Sequence, residues 1–189
     1  HILKTVCKDS QDYFVSKGNL KLGDVLSFST AFSEKNERMT GRLAGRYALL
    51  ALIVTLAGEE FSNDVLISFT ASSLTSACRE NGLIRRFRPD QVILLGQTES
   101  VSDAPILLKK DGKAFGPRLF SNEMKTDFEK SGLRFDVKLR AKSVTKAESI
   151  YSVFDLPVLP ILLPVEQMNQ KDESVLTKSV DHTLSLLRH

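Results

Sequence analysis

The chain reads as an α+β protein: one domain over residues 1–189, with a mixed or antiparallel sheet and helices packed on it. Three observations predict this. Two-residue alternation marks strands, most clearly through Leu133, Phe135, Val137 and Leu139. Spacing of four, four and three marks a terminal helix through Leu176, Val180, Leu184 and Leu187. Strands and helices interleave without a strict βαβ rhythm, a repeat of fixed period or a Gly/Ser-rich linker.

In chain order, a short helix fits Ser10–Ser16, and Asp24–Phe32 alternates as a strand. Ser33–Arg38 reads as a polar loop. Thr40–Ala57 reads as a mostly buried helix, capped by Thr40 and ended by Gly58, with Arg42 and Arg46 on its one polar face. The β-branched run Ile53-Val54-Thr55 keeps a buried strand from Tyr47 open as the alternative. Asp64–Ala71 alternates as a strand, and Ser73–Asn81 fits a helix closed at Gly82. Gln91–Gly96 is a short buried strand. Asp111-Gly112 is a hairpin signal that supplies the positive φ angles of a type I′ turn. Ser121–Ser131 reads as a helix stopped by Gly132, and Leu133–Val144 as a strand. With three prolines among aliphatics, Leu156–Pro164 is expected to be an edge-like or covering segment. Residues 165–189 end in an amphipathic helix that can sit partly detached from the domain.

Composition bounds the function. The hydrophobic share of 42% and charged share of 26% are those of an ordinary globule, and 189 residues can bury a proper core without staples. The three histidines, His1, His182 and His189, all lie near the termini, and the thiols are Cys7 and Cys78 alone. Most acid–base and metal sites use His or Cys, so the expectation is a non-enzyme with no catalytic residues, no metal, no cofactor and no nucleotide. Neither GxGxxG nor GxxxxGK[ST] spacing occurs, and Ser143 with Lys146 forms only a short, common SxxK pattern. The longest apolar run falls short of the ~20 residues needed to span a bilayer. No secretory signal is visible, so an intracellular, soluble protein is expected, in the host cytoplasm if viral.

The net charge of +3 is mild, but basic residues cluster. Alternate residues of a strand sit ~6.6 Å apart on one face, so Arg134, Lys138, Arg140 and Lys142 form a candidate polyanion-binding row. Lys109, Lys110, Lys113 and Arg118 around the hairpin, and Arg85, Arg86 and Arg88 ahead of Pro89, extend it. A solvated or Lys-protected sheet face is the alternative. Nucleic acid or an anionic membrane surface would be the partner. For self-association the candidates are Leu156, Val158, Leu159, Ile161, Leu162 and Leu163, with Leu176, Val180, Leu184 and Leu187 of the terminal helix.

Gly45-Arg46-Tyr47 through Leu56-Ala57-Gly58-Glu59, then Asn63-Asp64 and Val65–Phe69, resembles the core of tobamovirus-type movement proteins. Arg38-Met39-Thr40-Gly41 leading into an apolar helix, Gly58 and Val65–Phe69 resembles the middle of rhabdovirus matrix proteins. The first resemblance implies a strand over Tyr47–Ala57, the second a helix. The two cannot both hold, and either would make the protein viral. The leading reading, taken from the basic strand and the apolar segments, is a non-enzymatic structural or assembly protein that forms homo-oligomers and contacts polyanions through a basic sheet face. The alternative is a small-molecule or peptide-binding domain, or an enzyme using Ser, Lys or carboxylates only.

Overall fold

The computed structural model describes residues 32–69, 78–115, 122–170 and 172–189. The expected helix at Ser10–Ser16, the strand at Asp24–Phe32 except Phe32 itself, Cys7 and Arg118 lie outside these residues. The architecture is α+β with a mixed sheet, as expected. Among the described residues there are five helices and two sheets.

The larger sheet is built on β3 (Val92–Glu99), β4 (Ile106–Asp111), β5 (Ala114–Phe115), β6 (Asp136–Arg140) and β7 (Val158–Val165). Its order is β3-β7-β4-β5, with β6 also paired to β4. β3 and β7 run parallel over eight residue pairs, Val92 opposite Val158 through Glu99 opposite Val165. β4 meets β7 antiparallel at only two pairs, Ile106 with Leu162 and Leu107 with Ile161.

The proline-rich segment is therefore the central strand, not an edge or a cover, and all eight of its residues are buried. The placement of the prolines explains how a sheet tolerates them. The Val92 N–H donates to the Pro157 carbonyl and the Ser100 N–H to that of Val165, so odd-numbered groups of β7 point at β3. Pro160 and Pro164 are even, and their missing N–H groups fall on the β4 side. Leu162, between them, forms the hydrogen-bonding pair with Ile106. Continuing that register would set Pro160 opposite Leu108 and Pro164 opposite Ala104, where no N–H can be offered, and the ladder stops there.

Helices cover both faces. On one face lie α1 (Ala44–Ala57), α3 (Asn122–Lys130) and α5 (Thr177–Arg188). Leu163 and Val165 pack with Ala44 and Ala48 of α1. Leu159 and Ile161 pack with Phe128 of α3 and Leu186 of α5. α2 (Cys78–Phe87) and α4 (Ala147–Phe154) lie on the other face, where Val158 meets Ile84, Ala147 and Ile150. The smaller sheet is antiparallel and joins β1 (Ser33–Lys35), β2 (Arg38–Thr40) and β8 (Ser174–Leu176).

The helix read over Tyr47–Ala57 is present and Gly58 ends it, but Thr40 belongs to β2 and the N-cap is Leu43, with φ 63°. It is not mostly buried, since Tyr47, Leu50 and Val54 are exposed. Residues 64–69 form no strand, and Val65, Leu66 and Phe69 are exposed, so this alternation did not find a sheet edge; the last two residues of the expected strand lie outside the described residues. The start of the helix expected at Ser73–Asn81 lies outside the described residues, and α2 runs through Gly82 to Phe87. The turn after β4 takes a positive φ at Gly112 (63°) but not at Lys113, whereas a type I′ turn requires both. α3 ends as expected: Gly132 sits at φ 70°, with the Leu133 N–H returning to the Phe128 carbonyl and the Gly132 N–H to that of Glu129.

Side-chain ties fasten the loops. Asp111, fully buried, accepts from the Val144 N–H (2.6 Å), the Thr145 N–H (2.9 Å) and the hydroxyls of Thr145 and Ser143. Arg188 Nε donates to Glu59 Oε1 at 2.8 Å, linking the end of α5 to the turn after α1. That hydrogen bond holds the Glu59 carboxyl below its ordinary range and raises the Arg188 guanidinium.

Candidate functional site

In sheets with parallel strands, ligands sit in the crevice outside the carboxyl ends of those strands. Here that end is formed by Gln97–Glu99 of β3 and Leu163–Val165 of β7, with the N-terminus of α1 packed against it. Gly45 allows the close approach. A Cβ there would stand 2.6 Å from Val165 Cγ2 and 3.1 Å from Gln97 Nε2. A glycine inside a helix costs about 1 kcal/mol relative to alanine, and this packing is its physical reason.

Glu173, with 1% exposure, joins the surrounding segments. Its Oε1 accepts the Gly45 N–H at 2.7 Å, in the first turn of α1, and its Oε2 accepts the Asn169 N–H at 3.0 Å. The Glu173 carbonyl accepts the Gly41 N–H at 2.9 Å. Arg38 of β2 forms an ion pair with Glu166, just beyond β7.

Two features mark this end of the sheet, although positive φ angles also occur at Arg88 and Asp155 at the other end. Leu43, Gln167 and Asn169 all take positive φ angles, of 63°, 52° and 66°. Such left-handed residues cost about 1–3 kcal/mol each and concentrate at functional sites. In addition, Gln97 Nε2, a donor, and Glu166 Oε1, an acceptor, are buried without hydrogen-bond partners. An unmet donor and an unmet acceptor at the same end of the sheet are the groups that a ligand carrying a carbonyl and an N–H or ammonium group would satisfy.

Sequence reasoning missed these residues because isolated Gln, Glu and Asn look like ordinary surface. The usable signal was Gly45 inside a helical segment, which calls for a packing reason. Among the described residues no group of three or more His, Cys, Asp or Glu could hold a metal ion. His182 Nδ1 lies 2.9 Å from the Asp103 carbonyl oxygen, and the His189 ring stacks edge-on with Phe128 at 5.5 Å.

The basic residues do not assemble into one row. Arg134 precedes β6 and pairs with Asp103 at 3.0 Å, and Arg140 donates to Thr98 Oγ1 at 3.2 Å. Lys138 is half-buried on β6, and Lys142 is exposed beyond it. The expected facing also fails. Leu133 and Phe135 pack under α3, but that cover ends there, leaving Val137 and Leu139 exposed. Lys109 Nζ donates to Asn122 Oδ1 at 2.8 Å, Lys110 is half-buried on β4, and Lys113 is exposed at the turn. At the opposite end of the sheet, an open groove of about 520 Å³ is lined by Arg85 and Arg88 with Ile84, Pro89, Phe154 and Leu156. Arg85 lies over the Phe154 ring at 5.9 Å and Arg86 over Phe87 at 5.4 Å.

The residues expected to drive self-association lie within the fold. Val158, Leu159, Ile161, Leu162 and Leu163 are buried in the central strand, and Leu156 packs beside them. Leu176, Val180, Leu184 and Leu187 are half-buried, with Val180 and Leu187 packed onto the core. The residues of β7 are core because a strand covered on both faces has nothing left to offer a partner.

No protein-family model matches the sequence, and no curated protein matches it. Solved structures do resemble it. A Pyrococcus horikoshii TET1 peptidase, described as able to assemble into a tetrahedron or a large octahedral shell, superposes with a TM-score of 0.63 at 16% identity, over 85% of this chain and 52% of that one. Aminopeptidase APDkam598 from the archaeon Desulfurococcus kamchatkensis gives 0.63 at 14% identity, over 83% and 50%. A putative peptidase/endoglucanase gives 0.62 at 15% identity, over 83% and 52%. The chain thus spans about half the length of these proteins. Their likeness overturns the viral reading and, with it, the expectation of a nucleic-acid-binding assembly protein. The viral resemblance rested on an apolar run ended by Gly58-Glu59, a pattern that any apolar helix with a glycine stop produces. No described helix is long and apolar enough to cross a membrane. What the neighbours establish is the fold: that of about half of a TET-type peptidase chain.

Proposed function

We propose that this chain is a peptidase-type domain that binds peptide in the crevice at the carboxyl ends of β3 and β7 without hydrolysing it, within a self-associating protein. The observation that carries the reading is that this end of the sheet holds an unmet donor, Gln97 Nε2, and an unmet acceptor, Glu166 Oε1, together with positive φ angles at Leu43 and Asn169. A peptide terminus offers the complementary carbonyl and ammonium. The peptidase fold supports peptide as the ligand class. Amides, carboxyls and a guanidinium around the crevice, with both described histidines engaged elsewhere, support binding rather than turnover. Self-association is supported by the neighbour described as forming closed shells.

The test is calorimetric titration with short unstructured peptides, with free or acetylated amino termini, alongside mass spectrometry of the mixtures. Binding that prefers the free terminus, weakens about tenfold in Gln97→Ala and Glu166→Gln, and leaves the peptide intact is expected. Equal binding by both variants, or none by the parent, overturns the site. Cleavage overturns the non-hydrolytic part.

A further inference from the structure

We infer that the outward face of α1 is a self-complementary seam through which two copies of this chain pair, helix against antiparallel helix. The inference rests on the self-association reading above and names the surface responsible.

α1 buries one stripe against the sheet, through Ala48, Leu52 and Leu56. Its opposite side should then be polar, as on a surface helix, but it is apolar as well. Tyr47 is 57% exposed, Leu50 45% and Val54 63%, and Ala57 is also exposed. A helix apolar all round belongs in an interior. The exposed positions 47, 50, 54 and 57 are spaced three, four and three apart, the a/d pattern that meshes with another helix rather than with a sheet.

Charge selects the occupant. Arg46 is exposed at the start of α1 and Glu60 just past its end. An antiparallel pair centred near Leu52 sets Leu50 against Val54 of the second copy and Tyr47 against its Ala57, large against small. It also brings Arg46 of each copy toward Glu60 of the other, and the helix dipoles oppose. A two-fold axis makes one patch complementary to itself in this way. One helix face is a small interface, so the pairing is expected to depend on concentration.

Sedimentation velocity across a wide concentration range, on the full chain, tests the seam. Leu50→Glu and Val54→Glu should each weaken dimerisation about tenfold or more, because a charge in the seam is left unpaired, while melting of the monomer is unchanged. Arg46→Glu should weaken it too, and adding Glu60→Arg should restore it, a rescue that only the antiparallel arrangement gives. Association untouched by all of these variants overturns the seam and leaves self-association standing, while a monomer at every concentration overturns both. Loss of monomer stability in Leu50→Glu would show that the chain's own residues cover the face. Flotation of the parent with anionic vesicles, lost in Leu50→Glu without any dimer, would assign the face to a membrane. Either result overturns the inference.

Discussion

Replacing Glu173 should loosen the whole end of the sheet that holds the crevice. Its carboxyl accepts the Gly45 N–H at 2.7 Å and the Asn169 N–H at 3.0 Å, at 1% exposure, where water cannot replace it. Glu173→Ala orphans both donors; the Gly45 N–H, in a buried bond, sits at the upper end of the roughly 1–3 kcal/mol cost of an unmet donor and the Asn169 N–H, part-buried, at the lower, so the loss is about 4 kcal/mol. For a chain of this size, 1 kcal/mol moves the melting temperature by about 2–4 °C, which gives a drop of roughly 8–16 °C. Glu173→Gln keeps one acceptor oxygen but turns an NH₂ group toward the second donor, so about half that drop is expected. Melting by circular dichroism gives the ranking, and hydrogen exchange should show the Gly45 and Asn169 amides opening first. An alanine variant within about 2 °C of the parent, or a glutamine variant as damaged as alanine, would show that the carboxylate does not hold this end of the sheet together.

Two further outcomes follow from the loop ties. Asp111→Asn retains an acceptor for one of its backbone donors and repels the other, so a destabilisation of about 2–3 kcal/mol is expected in urea unfolding, with Asp111→Ala costing more. The Glu59–Arg188 bond depresses the Glu59 carboxyl below its ordinary 4.5. Its contribution is therefore present above pH 4.5 and is lost as pH falls through the lower, folded-state value. The melting difference between the parent and Glu59→Gln should be constant at neutral pH and vanish on acidification, and a difference that grows toward low pH would contradict the sign.

Local chemistry made several elements legible. The Val-Ile-Leu-Leu run gave β3, Gly132 gave the end of α3, and alanine- and leucine-rich composition gave α1 despite its β-branched stretch. Pro160 and Pro164 argued against a central strand because proline statistics count lost hydrogen bonds, not the side on which they are lost. Of the small sheet, Ser33–Arg38 reads in the sequence as a loop and Ser174–Leu176 as part of the helical tail. Strands of three residues carry no period, and Asn36-Glu37, both at positive φ, form their hairpin without the usual glycine. The crevice was illegible because it joins positions 45, 97, 166, 169 and 173, which only the completed fold brings together. The apolar outward face of α1 was visible in the sequence, but it read as burial, since composition cannot tell a core from an unfilled interface.

The placement of the two prolines makes the large sheet mechanically uneven. β7 is laced to β3 along its entire length but stitched to β4 at two residue pairs. The half bearing β4, β5 and β6 is held to the rest chiefly by packing, with Leu162 wedged between Ile106 and Leu108. Packing tolerates small sliding, whereas a ladder does not. Shear within this sheet is thereby confined to one line, and the β3–β7 edge that carries the crevice stays rigid while the opposite half adjusts.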